Sequence, residues 1–226
     1  MRKQWMAFLI AAIALVGLET IAPARAESAE SHDATPAPAH SVTAFQTNFE
    51  QVLGENYSFM TRELKRLGDQ DVIEIGNFYH LSLDQRIAVL SYTYSTYEPV
   101  NSRLRNGGRG AAEIAPYVEV LNSALDLLDH YNGTVMRTVD SLPPAVLAQH
   151  QVGKTVTYAA YTSTSKKRSL TAAYNFTIRS RTGADLDGYA SNSNEREVLF
   201  KPGTNFRVLG RTVKDGRFYF EMEELP

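Results

Sequence analysis

The hydrophobic pattern of this sequence changes once, near residue 133, and that change limits the folds the chain can adopt more than any other feature. From Thr43 to Tyr131 apolar residues recur three or four positions apart, which is typical of helices. From Gly133 onward the chain consists of short runs rich in β-branched and aromatic residues, separated by turn residues. Helices followed by strands predict an α+β fold rather than alternating α/β units.

Three helical segments are predicted, over Thr43 to Leu67, Ser82 to Pro99 and Glu113 to Tyr131. Gly54 interrupts the first, so it is either one bent helix or two short ones. Ser82 and Gln85 form a capping box at the start of the second, which Pro99 is expected to end. The glycine-rich segment Asn106 to Gly110 lacks the Lys-Ser/Thr of a phosphate loop and follows no strand, so a turn is predicted there.

The second half of the chain contains six β-rich runs. They are Thr134 to Val139, Thr155 to Tyr161, Tyr174 to Arg181, Arg196 to Lys201, Phe206 to Val213 and Arg217 to Glu223. The last two are separated by Lys214, Asp215 and Gly216, which predict a hairpin.

The first residues have the features of a secretory signal peptide. Basic residues at the start precede an apolar stretch from Trp5 to Leu18 and a small-residue exit at Ala24 to Ala26, so residues 1-26 are predicted to be removed after Ala26. Residues 27-41, rich in Ala, Pro and Ser, predict a disordered leader, and 42-226 a single domain. The apolar stretch is shorter than a membrane span, so a secreted chain without stable membrane insertion is expected.

Charge and composition argue against several other classes of protein. The formal charge is -2, and removal of the signal, with three basic residues and one acidic residue, makes it about -4. No nucleic-acid partner is therefore expected. Cysteine is absent and the five histidines lack metal-ligand spacing, so no disulfide and no metal site are predicted. We expect a monomer.

Two glutamates mark the candidate site. Glu195 and Glu197 flank Arg196 where a Gly, Ser and Asn loop meets the run Val198 to Phe200. If this is the mouth of a strand, alternation places both acids on one face. Paired acids of this kind occur in working sites, although an ordinary solvated strand entrance has the same composition.

Two earlier segments add polar groups to strand-like runs. Arg137 lies in the middle of Thr134 to Val139, where it either faces solvent or meets an anion such as phosphate. Tyr161 is followed by Thr162-Ser163-Thr164-Ser165, and small hydroxyls at a strand end can orient a neighbouring carboxylate.

In this order the three segments resemble the arginine, Ser-Thr-Ser and Glu-x-Glu signature of the mono-ADP-ribosyltransferases, the class of the cholera-toxin-like and actin-modifying bacterial toxins. The resemblance covers roughly residues 82 to 213. It includes Tyr92-Thr93 and Asn101-Ser102-Arg103-Leu104-Arg105 as a helical lead-in, and it departs from many members at Met136, where an aromatic is common. It implies a two-sheet β core, NAD as co-substrate without a metal, and a host protein with an exposed arginine as partner.

The resemblance also assigns roles to individual residues. Arg137 would hold the NAD diphosphate, and Ser163 would orient Glu197, which stabilises positive charge as the glycosidic bond breaks. Thr164 and Ser165 would hold the strand end and the nicotinamide side of the pocket. Glu195 would engage the acceptor arginine. Two tyrosines complete the set, with Tyr174 stacking on nicotinamide and Tyr189 contacting the protein substrate, although a strand tyrosine can equally belong to a core.

Two other functions fit the sequence. An NAD glycohydrolase would use water in place of the arginine. A non-enzymatic envelope-binding module would need no NAD, and its terminal hairpin, Phe206 to Glu223, would form a small barrel.

Overall fold

The computed structural model describes residues 49–69, 80–167, 171–189 and 196–226, with the side chains of the first range described as far as residue 66. The predicted signal peptide, leader and domain boundary at residue 42 lie outside these ranges and stay predictions. Among the described residues, no helix has both the length and the apolar character needed to cross a membrane.

The helices of the described part precede the first strand, except for one short helix that follows it. They are α1 (Glu55–Asp69), α2 (Leu83–Ser91), α3 (Tyr97–Asn106), α4 (Gly108–Glu113), α5 (Ala115–Leu125) and α6 (Pro144–Gln149). Residues 49–53 are also helical and end at Gly54, whose φ of 55° breaks the first predicted segment in two. The capping box at Ser82 and Gln85 is confirmed, because each side chain bonds the other residue's backbone N–H.

The prediction that Pro99 ends the second helix is wrong. Tyr92–Thr96 forms a π-helical turn, and α3 follows it directly with Pro99 in its first turn. The wider π-helical turn interrupts the regular i→i−4 hydrogen-bond ladder just before Pro99, so the missing N–H of the proline is tolerated there. A single helical rod with a widened turn at Tyr92 therefore replaces the predicted stop.

Other boundaries also differ from the sequence prediction. The predicted turn at Asn106 to Gly110 is a break at Gly107, with φ 63°, followed by the short helix α4. The third predicted helix ends at Leu125 rather than Tyr131, because the first strand already begins at His130. Helix α6 had no counterpart in the prediction.

Seven strands are present in the described residues and belong to one hydrogen-bonded sheet. They are β1 (His130–Val139), β2 (Thr155–Thr157), β3 (Thr162–Ser165), β4 (Tyr174–Asp185), β5 (Glu197–Phe200), β6 (Asn205–Lys214) and β7 (Arg217–Glu224). The order is β1-β3-β5-β4-β7-β6-β2, with β1 also paired to β4. The run Thr155 to Tyr161, predicted as one strand, yields only the short β2, and β3 forms separately.

Strand β4 changes partner along its length, which joins the two halves of the β core. Its first half pairs in parallel with β7, whereas Ala184 and Asp185 pair with β5. The predicted hairpin is confirmed, with Asp215 and Gly216 both at positive φ between β6 and β7. Because β7 is bonded to β4, this hairpin is part of the main sheet rather than the small barrel of the binding-module hypothesis.

Two apolar clusters stabilise this arrangement. One joins the helices to the β3, β4 and β5 end of the sheet and includes Tyr92, Tyr117, Tyr161 and Leu199. The other lies within the strands and includes Val198 and Phe200. Successive residues of β5 thus pack into different clusters, so the strand that begins at Glu197 is buried along its whole length.

A buried histidine makes the stability of the strand cluster dependent on pH. The His150 ring is fully buried, with Nδ1 2.7 Å from the Val146 carbonyl oxygen and Nε2 2.6 Å from the Tyr158 hydroxyl. A carbonyl only accepts, so Nδ1 carries the proton and Nε2 accepts from Tyr158 in the neutral ring. Burial lowers the pKa of His150 and outweighs the bond to the Val146 carbonyl, which raises it; the nearby Arg211 guanidinium also lowers it.

We expect the protein to lose stability as the pH falls below about 6.5, because the unfolded chain then binds a proton that the folded His150 resists. The expected loss is at most about 1.4 kcal/mol per pH unit until the folded pKa is reached. Urea unfolding at pH 7.5 and 5.5 measures it. The exposed His130 provides the control: His130→Gln should keep the wild-type difference between the two pH values, and His150→Gln should reduce it. Equal pH dependence in both variants would contradict this assignment.

Candidate active site

Strands β3 and β5 place the predicted hydroxyls beside the predicted glutamate. Ser165 pairs with Glu197 and Ser163 pairs with Leu199, so the two serines and Glu197 share one face of the sheet. Glu197 is only 6% exposed. Ser163 is the diagonal neighbour of Glu197, at about 7–8 Å between backbones. The predicted hydrogen bond from Ser163 to Glu197 stays a prediction.

The other two hydroxyls of this motif make local bonds. Thr164 is buried on the opposite face and donates from Oγ1 to the Val198 carbonyl at 2.7 Å, which ties β3 to β5 next to Glu197. Ser165 Oγ accepts from the Lys167 backbone N–H at 3.0 Å. Thr164 therefore ties the two strands together from the face opposite Glu197, and its predicted part in the NAD site stays a prediction.

Arg137 connects β1 to this pair of strands. Strands β1 and β3 pair at Met136 and Ser165, and the next side chain, Arg137, donates from Nη1 to the Ser163 carbonyl at 2.7 Å. Burial lowers the pKa of Arg137, while Tyr158, Tyr92 and Glu197 act in the opposite direction. The charge of Glu197 therefore acts on this guanidinium. Within the described part of the chain, the Ser163 carbonyl takes one of its five N–H donors, which leaves others for an anion.

The helical part reaches the site through an asparagine on α3. Asn101 donates to the Tyr92 hydroxyl at 2.9 Å and accepts from the Tyr161 backbone N–H at 3.1 Å. The Tyr92 and Tyr161 rings meet edge to face, 5.1 Å apart. Burial and the neighbouring Glu197 raise the pKa of Tyr92. Asn101 therefore fixes α3 against the chain that enters β3.

Arg105 adds a second guanidinium, to which the sequence reasoning assigned no role. It lies four residues after Asn101, and residues four apart share a helix face. Burial lowers the pKa of Arg105, and the nearby Arg137 lowers it further. Two arginines held close together in a half-buried position repel each other, and a bound phosphate would relieve that repulsion. The i, i+4 spacing of Asn101 and Arg105 was the available signal.

The structure does not support the argument that placed the two glutamates on one face. Arg196 has φ 47°, a left-handed conformation, and the strand begins only at Glu197. Alternation between strand faces therefore does not extend back to Glu195. Glu195 itself lies outside the described residues, and its assignment to the acceptor stays a prediction.

The two tyrosines with predicted ligand contacts pack against other aromatic rings. Tyr174 stacks on Phe218, with ring centres 5.3 Å apart, as part of the strand cluster. Tyr189 is 8% exposed, belongs to the helix-side cluster and meets the His80 ring edge to face at 6.4 Å. Tyr189 is buried in the helix-side cluster, and Tyr174 is partly buried against the strand cluster. These contacts do not test the two predicted ligand roles, which stay predictions.

Within the described ranges, no three His, Cys, Asp or Glu side chains are grouped to hold a metal ion. The site instead offers two guanidiniums, hydroxyls on a strand end and a buried carboxylate. This set suits a substrate that carries both a diphosphate, for the arginines, and a centre that becomes positively charged, for the carboxylate.

The fold is a helical region followed by a partly parallel sheet, in which β1 carries Arg137, β3 carries Ser163 and β5 begins with Glu197. This combination defines the ADP-ribosyltransferase class. The solved structure of the ADP-ribosyltransferase HopU1 from Pseudomonas syringae pv. Tomato has the same fold, with a TM-score of 0.66 and 15% identity over 83% of this chain and 99% of that one. The family model described as NAD:arginine ADP-ribosyltransferase matches residues 29–225. The chain belongs to that family.

Curated relatives are similar over part of their length. The Mycobacterium avium protein Mav, whose name gives NAD(+)–arginine ADP-ribosyltransferase as a provisional activity, is similar to this chain. The two are 34% identical over 165 residues, or 67% of this chain. The NAD(+)–protein-arginine ADP-ribosyltransferase Tre1 of Serratia proteamaculans is 31% identical over 147 residues, or 65% of this chain. The aligned parts are 20% of the first relative and 33% of the second.

Proposed function

We propose that this chain transfers ADP-ribose from NAD to an arginine side chain of a protein. The bond between ribose C1′ and the nicotinamide nitrogen breaks, and a bond from C1′ to a guanidinium nitrogen forms. Nicotinamide leaves as a neutral ring, and the guanidinium nitrogen gives up one proton. The observation that carries the proposal is the meeting of Arg137, the Ser163 strand and the buried Glu197, in a chain that belongs to the arginine-modifying family.

The two arginines would bind the diphosphate of NAD. Arg137 is held by the Ser163 carbonyl, so its planar guanidinium is oriented before the substrate arrives. Arg105, fixed through α3, would contact the same group and offset its second charge. Binding the diphosphate anchors the part of NAD that does not react, so this energy can position the nicotinamide ribose at Glu197.

Glu197 would stabilise the transition state. As the bond to nicotinamide breaks, positive charge develops on the ribose, and a carboxylate in a buried site interacts with it more strongly than it would in water. The β3 and β5 pairing holds Glu197 in place, so little reorganisation is needed when the charge appears. Ser163, on the same face, would keep the carboxylate in its working orientation.

The direct test is to incubate the purified protein with NAD and agmatine, a small guanidine that mimics the arginine side chain. Nicotinamide release together with ADP-ribosyl-agmatine would support the proposal, and release without the adduct would identify an NAD glycohydrolase that uses water. Absence of both products would reject it. We propose further that the chain is exported after cleavage near Ala26 and acts on an arginine of a host protein, which labelled NAD in a host lysate would reveal.

Arg137→Lys is expected to raise the KM for NAD about 10- to 30-fold with a smaller change in kcat, because a lysine keeps the charge but loses the planar two-point contact with a diphosphate. Initial rates of nicotinamide release against NAD concentration measure this. Arg179→Lys, an exposed position on the paired strand β4, is the matched control and should behave as wild type. A KM for NAD within twofold of wild type in Arg137→Lys would show that Arg137 does not bind the substrate.

A further inference from the structure

A cluster of four charged residues lies beside the active-site strand, and the mechanism above does not use it. Lys166 Nζ donates to both Asp185 carboxylate oxygens at 2.8 Å and to Asp187 Oδ2. Arg196 Nε donates to the same Asp187 oxygen at 3.1 Å. We call Lys166, Asp185, Asp187 and Arg196 the charged clamp.

Lys166 is the centre of the clamp. Its side chain is only 9% exposed, and its ammonium also lies 5.4 Å from the centre of the Tyr131 ring. Burial alone would lower the pKa of Lys166, but the hydrogen bonds from Asp185 and Asp187 outweigh it and the net shift is upward. A buried ion pair contributes little net stability, because desolvation offsets the attraction, and its best-attested use is to select one geometry.

The geometry that the clamp selects is the approach of two chain segments. Asp187 and Arg196 lie on either side of residues 188–195, and their side-chain bond joins the two ends of that segment. The Lys166 backbone N–H donates to the Arg196 carbonyl at 3.0 Å, which extends the β3 and β5 ladder by one residue. Arg196 is thus bonded through its main chain and its side chain while its φ is 47°, a conformation that costs energy for a residue other than glycine.

Glu197 does not depend on the clamp for its position. It pairs with Ser165, its carbonyl accepts from the Leu186 backbone N–H at 2.9 Å, and the adjoining Val198 pairs with Asp185. Loss of the side-chain bonds of Lys166 would therefore act on Asp187, and through it on Arg196, before it displaced the glutamate strand.

We propose that Lys166 is a positioning residue for the acceptor arginine. This inference rests on the proposed function, in which Glu195, the neighbour of Arg196 in sequence, engages the acceptor. Lys166 and Arg196 both bond the Asp187 carboxylate, so Lys166 helps to hold the left-handed backbone of Arg196. The φ angle of Arg196 in turn orients the peptide bond that joins it to Glu195. The clamp thus governs acceptor binding, whereas the β3 and β5 ladder governs the bond-breaking step.

The test compares Lys166→Met with wild type in two reactions, transfer to agmatine and nicotinamide release without an acceptor. We expect the KM for agmatine to rise about tenfold, while release changes by less than about threefold, since the loss is one of positioning. Lys166→Arg, which keeps the charge, should restore most of the acceptor affinity. Lys201→Met is the matched control, because it breaks a lysine ion pair with Asp126 just after β5 and should change neither reaction.

Thermal unfolding of each variant separates positioning from folding. If Lys166→Met does not fold, the double variant Lys166→Met, Asp185→Asn keeps the Asp187–Arg196 pair, leaves the remaining charges balanced and carries the same kinetic expectation. A folded variant whose KM for agmatine stays within twofold of wild type would overturn the inference, as would an equal fall in both reactions. Wild-type protein that releases nicotinamide without modifying agmatine would instead reject the proposed transfer, which is a separate result.

Discussion

Glu197→Gln is expected to lower kcat about 10³-fold both for nicotinamide release and for transfer to a guanidine acceptor. The amide has nearly the shape of the carboxylate but no charge, so the developing positive charge on the ribose loses its partner at a buried position. Loss of one fixed electrostatic contact to a transition state costs up to about 4 kcal/mol, which corresponds to this factor.

The affinity for NAD should change far less than kcat. The diphosphate contacts proposed for Arg137 and Arg105 act on the ground state as much as on the transition state, and this substitution leaves them in place. Single-turnover release and equilibrium NAD binding separate the two quantities. Glu221→Gln, an exposed glutamate on β7, is the control for the loss of a strand carboxylate. A kcat within tenfold of wild type in Glu197→Gln would remove Glu197 from the mechanism.

Local signals in the sequence determined much of the fold. The capping box at Ser82, the break at Gly54 and the hairpin at Asp215-Gly216 are each set by hydrogen bonds or backbone angles within a few residues, and the structure confirms all three. Pro99 was misread because its effect depends on its place in the helix. The π-helical turn at Tyr92–Thr96 interrupts the regular hydrogen-bond ladder just before Pro99, so the missing N–H of the proline is tolerated.

The site was predictable where it follows from strand order and hidden where it depends on long-range packing. Arg137, Ser163 and Glu197 lie on three strands that meet, as the resemblance implied. The position of Arg105 depends on Asn101, which fixes α3 through bonds to Tyr92 and Tyr161, 9 and 60 residues away in the chain, and no pattern in the sequence encodes those contacts.

Aromatic residues were the hardest to assign from sequence. Tyr174 and Tyr189 each have a neighbour in the structure that a one-dimensional pattern does not reveal, Phe218 for the first and His80 for the second. A tyrosine in a strand or a turn contributes apolar area wherever it is covered, so its type alone does not separate a core position from a ligand contact.

Glu195→Gln is expected to lower kcat/KM for transfer to agmatine at least about 10²-fold while nicotinamide release stays within about fivefold of wild type. A guanidinium is a far weaker acid than a carboxylic acid, so Glu195 cannot deprotonate a resting arginine. Its role is to pair with the acceptor through two hydrogen bonds and to take the proton late, once attack on the ribose has made that nitrogen acidic. Glutamine loses both contributions but leaves Glu197 and the arginines unchanged.

Parallel assays of adduct and nicotinamide, with Glu221→Gln again as control, distinguish this role from that of Glu197. Loss of both reactions would assign Glu195 to bond breaking, and unchanged transfer would remove it from the acceptor side. The two glutamates belong to different structural units, because Glu197 is the first residue of a strand bonded on both edges, and Glu195 precedes the left-handed turn that the charged clamp holds. For this reason we expect Glu197→Gln to stop cleavage of the bond to nicotinamide. Glu195→Gln should stop only the transfer to arginine, and water would then be the acceptor.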